Sequence, residues 1–161
     1  MIFEIIKGQG YQKRIPLGNG LYAQIRRTEA EKLVIDVPYQ GVYGLGEKFD
    51  SVNQKGKTVE TQVIEKFCNQ GNISYCVTPF FITDSGLGIY IKTVKKTVIS
   101  LQDEIICEIP KEAEVTVFTG SIGEIIQDYV GLFRKPKLPP RYAFGIWVSA
   151  NHWNCEADVD R

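Results

Sequence analysis

The sequence is poor in the residues that much site chemistry leans on. Its one histidine, His152, has Cys155 as its nearest soft neighbour, and two ligands are half of a four-coordinate structural zinc site at best. Nor does a four-residue stretch of unassigned backbone hold a thiol against an imidazole for nucleophilic work. No metal and no cofactor is expected. Charge of either sign is not in excess, because nineteen Lys and Arg balance nineteen Asp and Glu. Without a basic surplus to displace counterions, nucleic acid is excluded as the main partner. Cys68, Cys76, Cys107 and Cys155 include no Cys-x-x-Cys pair. The opening run Met1 to Lys7 carries Glu4 among apolar residues and has no basic lead-in, so no secretory signal is read. No stretch approaches the roughly 18 apolar residues of a membrane helix. These absences predict a soluble, cytoplasmic protein with reduced thiols and no membrane partner. The 161 residues also fall short of a complete (β/α)8 barrel, which takes about 250.

What is abundant is β-branched. Ile and Val number thirty-three, against fifteen Leu, Ala and Met together. Such side chains lose rotamer freedom in helices and pack well on pleated surfaces. Leu21 to Arg27 and Lys32 to Val37 read as strands joined by a polar turn at residues 28–31. Val42 to Phe49 is punctuated by glycine, and Thr58 to Glu65 alternates. Pro79 to Thr83 and Leu87 to Thr93 flank Asp84-Ser85-Gly86, a hairpin signal because glycine tolerates positive φ. Val94 to Leu101, Glu104 to Ile109 and Glu114 to Phe118 follow at short spacing, the signature of a sandwich or barrel. Lys92, Lys95 and Lys96 read as a solvated edge that discourages strand aggregation.

The pattern then changes. Ser121-Ile122-Gly123-Glu124 is a capping box, and Ile122, Ile125, Ile126, Tyr129, Val130 and Phe133 recur at helical spacing. One amphipathic helix of about three turns is predicted. Lys135 to Pro140 ends it with a stiff proline linker. Tyr142 to Val148 is a nearly continuous apolar run, as suits a strand buried on both faces. The predicted organisation is a β domain over 1–119, a helix and linker over 120–140, and a new element over 141–161. A doubly buried strand needs partners on both edges. The chain is therefore expected to be the front piece of something larger, or to self-associate through Tyr142 to Val148.

Three motifs in order carry a family resemblance. Tyr43-Gly44-Leu45-Gly46-Glu47-Lys48-Phe49-Asp50, followed by Asn53-Gln54-Lys55-Gly56, resembles the N-terminal domain of glycoside hydrolase family 31, whose members include α-glucosidases and α-xylosidases. Pro79 to Thr83 followed by Gly86 to Ile91 resembles a hairpin of that family. Leu138 to Ser149 resembles the approach to its catalytic barrel. The resemblance spans residues 43–149. It implies a mostly β fold: a galactose-mutarotase-like β-sandwich, one amphipathic helix, then the first strand of an incomplete (β/α)8 barrel.

It also implies retaining hydrolysis of α-glycosidic bonds, which takes two carboxyl groups roughly 5–5.5 Å apart. In the family both are aspartates on later barrel strands, and no residue here matches either, so no catalytic residue is assigned. Glu156, Asp158 and Asp160 read as solvated surface. Carbohydrate is then a partner through the full-length parent. At the end of the expected barrel strand, Trp153 is a candidate to stack on a sugar, with Asn151 and His152 as candidates to bond its hydroxyls. Packing against barrel elements is the competing reading for Trp153, and Trp147 reads as core. Many family members carry Gln-Ser-Arg and a later aromatic in this stretch, where this chain has Val148-Ser149-Ala150-Asn151-His152-Trp153, a departure that leaves glucose-like and xylose-like units both open. In the family a sandwich loop reaches over the barrel mouth. Phe49, Asp50 and Asn53 match its approach, and Phe67 to Tyr75 is a candidate reaching part. The competing reading puts Phe49 in the core, with the glycines shaping a strand-to-loop junction. The alternatives carried alongside are a carbohydrate-binding or self-associating module. A mutarotase-like epimerase is disfavoured, because the only histidine lies beyond the sandwich.

Overall fold

The computed structural model describes residues 1–66, 68–71, 73–134 and 137–147. Eleven strands form among them: β1 Ile2–Ile6, β2 Gln12–Gly18, β3 Leu21–Arg27, β4 Lys32–Asp36, β5 Val42–Gly44, β6 Thr58–Glu60, β7 Phe80–Thr83, β8 Leu87–Lys92, β9 Val98–Leu101, β10 Ile105–Glu108 and β11 Glu114–Thr119. A five-stranded sheet runs β1-β11-β8-β7-β5, and a six-stranded sheet runs β2-β3-β4-β10-β9-β6. All pairings between these strands are antiparallel. The mostly β sandwich, with one α-helix among the described residues, is as the sequence predicts.

Alternation builds the core. Ile15, Ala23, Ile25, Leu33, Ile35, Ile99, Leu101, Ile105 and Cys107 point inward from the six-stranded sheet, where they meet Ile6, Val42, Phe81, Leu87, Ile89, Ile91, Val115 and Val117 from the other. Each such aliphatic side chain, fully buried, contributes about 1.5–3 kcal/mol. Cys107 is among them, fully enclosed, and burial pushes its thiol far up. Cys68 and Cys76 are exposed free thiols. In a variant with Cys68, Cys76 and Cys155 changed to Ser, a colorimetric thiol reagent is expected to find nothing until denaturant is added. Rapid reaction in the native state would contradict the enclosure of Cys107.

Among the described residues, one charged side chain lies inside. Arg27, at the end of β3, is 2% exposed. Its Nη1 donates to the Ala113 carbonyl at 2.6 Å, and its Nη2 donates to those of Lys111 at 2.8 Å and Pro110 at 3.0 Å. The guanidinium thereby ties the β10–β11 connection to the end of β3 in the six-stranded sheet.

The five-stranded sheet is covered on its outer face as well. α1, Ile122–Gly131, starts at Ser121, whose Oγ accepts from the Glu124 backbone N–H. The Glu124 carboxylate accepts in return from the Ser121 N–H at 2.9 Å. Ile125 is buried against Phe80, Ile82 and Phe118. The Tyr129 ring stacks on Phe80 at 3.8 Å between centroids. A Cβ at Gly88 would lie 2.5 Å from the Ile125 Cγ2, so the absence of a side chain there lets the helix seat. The helix settles asymmetrically: Ile122, Ile126, Val130 and Phe133 stay 40–48% exposed along one flank.

Two expectations need correction. Tyr142 to Val148 is not a strand over its described part. Arg141–Phe144 is a 3-10 turn, η1, and Tyr142, Phe144, Ile146 and Trp147 are 70–98% exposed. A doubly buried strand needs neighbours on both edges, and no strand among the described residues lies beside this run. Trp147 is accordingly not core: it is 76% exposed, and its indole N–H donates to the Ala143 carbonyl at 3.0 Å. Lys92, Lys95 and Lys96 are exposed, and each pairs with an acid, Glu114, Glu112 and Glu60 respectively.

Candidate functional site

The loop leaving β5 starts from three consecutive residues with positive φ: Gly44 at 116°, Leu45 at 65° and Gly46 at 88°. Leucine rarely takes this conformation. Here its side chain is buried in the sandwich, 1% exposed, so packing stabilises a backbone that propensity opposes. The flanking glycines are required by contact as well as by φ. A Cβ on Gly44 would fall 2.5 Å from the Phe80 carbonyl oxygen, and one on Gly46 would fall 2.1 Å from that of Cys76. The hook is pinned by the Leu45 N–H donating to Phe80 O at 2.8 Å and the Glu47 N–H donating to Cys76 O at 2.9 Å.

Beyond the hook the chain forms a braced loop. Asn53 Oδ1 accepts from the N–H groups of Val42 at 3.1 Å and Lys55 at 3.0 Å, while its Nδ2 donates to Gln40 O at 3.1 Å. Asn53 therefore shapes the loop from below. Gln54 is buried beside it: its N–H donates to Val42 O, and its side-chain amide donates to Ser51 O. Lys55 reaches back to the Tyr39 carbonyl at 2.7 Å.

This bracing presents Phe49 and Asp50. Phe49 is not in the core. It is 49% exposed and meets the edge of Tyr75 at 6.1 Å between ring centroids. Tyr75 is held in turn: its hydroxyl donates to Lys66 O and accepts from Gln70 Nε2 at 2.7 Å. Asp50 accepts from Lys57 Nζ at 2.8 Å. Burial pushes the Asp50 carboxyl up. The Lys57 hydrogen bond and charge, with the Gln54 amide and the Ser51 backbone, outweigh that push and hold it below the ordinary carboxylate range. Burial pushes the Lys48 ammonium down, against the nearby Asp50 charge, and Lys57 adds to the fall. The chemistry on offer is an apolar ring beside a carboxylate acceptor held toward its ionised form and two cationic donors. Those are means to hold a polyol rather than to cleave one.

The loop carries Phe49 and Asp50 side by side, and Phe49 meets Tyr75, the last residue of the candidate stretch 67–75, a pairing that the sequence did not show. Tyr75 lies far along the chain in a stretch without periodicity, and Lys57 is separated from Asp50 by the whole braced loop. Asn151, His152, Trp153 and Phe67 lie outside the described residues.

No family model matches the sequence. An isomaltosyltransferase of Sporosarcina globispora is 25% identical over 129 residues, covering 73% of this chain and 12% of the relative. An alpha-xylosidase of Emericella nidulans is 25% identical over 150 residues, covering 89% of this chain and 19% of the relative. A cycloalternan-degrading enzyme of Trueperella pyogenes, solved in complex with isomaltose, overlays with a TM-score of 0.67 at 21% identity, over 96% of this chain and 24% of that one. The chain thus spans only 12% to 19% of the length of these two curated relatives. The overlay shows that the fold is shared with part of the cycloalternan-degrading enzyme. Relatives named isomaltosyltransferase and alpha-xylosidase cover most of the chain, in agreement with the resemblance of its motifs to an N-terminal domain of glycoside hydrolase family 31.

Proposed function

We propose that this chain is the N-terminal domain of a retaining α-glycosidase acting on α-glucosides or α-xylosides, with both catalytic aspartates outside these 161 residues. The observation that carries this reading is the coverage. Relatives named isomaltosyltransferase and alpha-xylosidase match over 73% and 89% of this chain. In this role the sandwich holds the sugar rather than breaking it. Phe49 stacks against a sugar face, with Tyr75 fixing its edge, and ionised Asp50 accepts from a hydroxyl. Asn151, His152 and Trp153, further along the sequence, are assigned sugar contacts on the strength of the family resemblance. The domain works in the cytoplasm, in keeping with exposed free thiols at Cys68 and Cys76.

Reading the gene beyond the codon for Arg161 is the first test. An open frame running into alternating strands and helices, with aspartates at strand ends, is expected. The encoded protein is expected to hydrolyse an aryl α-glucoside or α-xyloside, and the 161-residue chain alone is not. In the longer protein, Phe49→Ala is expected to raise KM about tenfold, equivalent to about 1.4 kcal/mol of lost binding. Turnover by this chain alone that exceeds a heat-killed control and survives repurification would sink the proposal.

A second reading, self-association, is favoured by one feature: the apolar residues Tyr142, Phe144, Ile146 and Trp147 all stand open to solvent. Sedimentation of the chain would show concentration-dependent dimers that Ile146→Asp and Trp147→Asp abolish. A strict monomer at all concentrations rejects it.

A further inference from the structure

The outer face of the six-stranded sheet carries an array that the loop site does not use. Strand register sets Arg14 on β2 opposite Gln24 on β3, and Gln24 opposite Asp36 on β4. Guanidinium, amide and carboxylate therefore stand in one transverse row. Tyr22 lies one step along, opposite Pro16. Pro38 follows two residues after Asp36. Arg14, Tyr22, Gln24, Asp36 and Pro38 line a recess of about 380 Å³.

Two details separate this recess from ordinary polar surface. Arg14 sits over the Tyr22 ring, its Cζ 3.9 Å from the centroid, so the aromatic platform restrains the guanidinium while its N–H edge stays available. Among the described residues, the polar ends of Arg14, Gln24 and Asp36 have no hydrogen-bond or ion-pair partner. On the same face, Arg26 pairs with Glu104 at 2.9 Å, as exposed charges on a sheet commonly do. Arg14 and Asp36 stand two inter-strand spacings apart, about 10 Å, with Gln24 between them and the guanidinium laid on the Tyr22 ring.

The row has a definite chemical complement. A bare anion attracted by Arg14 meets Asp36, and a bare cation attracted by Asp36 meets Arg14. A neutral polyol suffers neither conflict. Adjacent hydroxyls can accept from the guanidinium, donate to the carboxylate, and do either with Gln24. The Tyr22 ring and Pro38 supply apolar contact for the C–H surface of a pyranose.

We propose that Arg14, Tyr22, Gln24 and Asp36 form a carbohydrate-binding subsite for one or two hexopyranose units on the outer sheet face, separate from the Phe49–Tyr75 edge. The subsite rests on the glycosidase reading only for the choice of probe. The test is a titration of the isotope-labelled 161-residue chain with isomaltose and with maltose, read by backbone amide NMR, with inorganic phosphate as the charged comparison. Saturable shifts are expected at Arg14, Tyr22, Gln24 and Asp36, with a dissociation constant on the order of millimolar. Tyr22→Ala and Asp36→Asn, each checked for an unchanged far-UV spectrum, are expected to weaken binding by about tenfold or more. Phosphate is expected to leave the spectrum unmoved. Sugar-induced shifts confined to residues 47–57 and 73–76 would overturn the subsite while supporting the loop site. Absence of any shift with both sugars, or a phosphate response at Arg14, would overturn it too. None of these results bears on hydrolysis by the longer protein, so the two proposals fail separately.

Discussion

Arg27→Ala is expected to destabilise the sandwich by about 3–5 kcal/mol, lowering Tm by roughly 10 °C or more. The change strips the carbonyls of Pro110, Lys111 and Ala113 of a shared donor, buried at Ala113 and part-buried at the other two, and it leaves a cavity under the β10–β11 connection. An unpaired buried acceptor costs about 1–3 kcal/mol. Arg27→Met separates the two contributions, since it restores most of the volume and none of the hydrogen bonds. If bonding dominates, Arg27→Met falls near the Ala variant in urea unfolding. A midpoint within about 1 kcal/mol of the parent would show that the three carbonyls find other partners, and that Arg27 is only a filler.

Gly46→Ala is expected to have a comparable effect, through the backbone alone. The new methyl would lie 2.1 Å from Cys76 O and 2.8 Å from Val77 Cα, both main-chain atoms, on a residue held at φ 88°. Neither neighbour is the end of a flexible side chain, so the two loops must part. The expected cost is about 3 kcal/mol or more, with faster amide exchange at Glu47, whose N–H bonds to Cys76 O. Gly56→Ala is the matched control. Its φ is 83°, but its Cβ would meet nothing within 4 Å, so only the conformational penalty of about 1–2 kcal/mol applies. Equal losses for the two variants would mean that φ, and not the close approach to Cys76, dictates glycine at 46.

The same contrast explains what was legible in the sequence. β3, β4, the β7–β8 hairpin and the capped helix declare themselves through alternation, turn chemistry and a capping box, all local signals. β1 and β2 do not. β1 is five residues whose register partner lies near the far end of the described chain, with Ile2 opposite Phe118. β2 contains Pro16 and has only Ile15 fully buried, so it shows neither period nor propensity. It tolerates proline because it is the outer strand of its sheet, where a missing N–H need break no ladder. The run after the proline linker misled for the opposite reason. Its hydrophobicity is real, but hydrophobicity does not name a neighbour, and the described residues provide none. In the candidate site, the Gly-Leu-Gly motif located the hook and hence Phe49 and Asp50. Tyr75 was legible only as the end of the candidate stretch 67–75, and Lys57 not at all, because their pairings with Phe49 and Asp50 depend on how the loops meet in space.

The seating of β11 between β1 and β8 also governs how this chain leaves the ribosome. β1 stays unpaired on that edge until β11 has been made, an interval of roughly 6–24 s at ordinary elongation rates. The nascent chain displays the open ladder of Ile2–Ile6 over that interval and, once it is made, that of Leu87–Lys92, both containing isoleucine. Translation halted before Glu114 would leave the five-stranded sheet in two pieces, each free to pair with a neighbour on the same polysome. For this protein, the holding chaperones a cell must supply are set less by final stability than by the delay between those two strands.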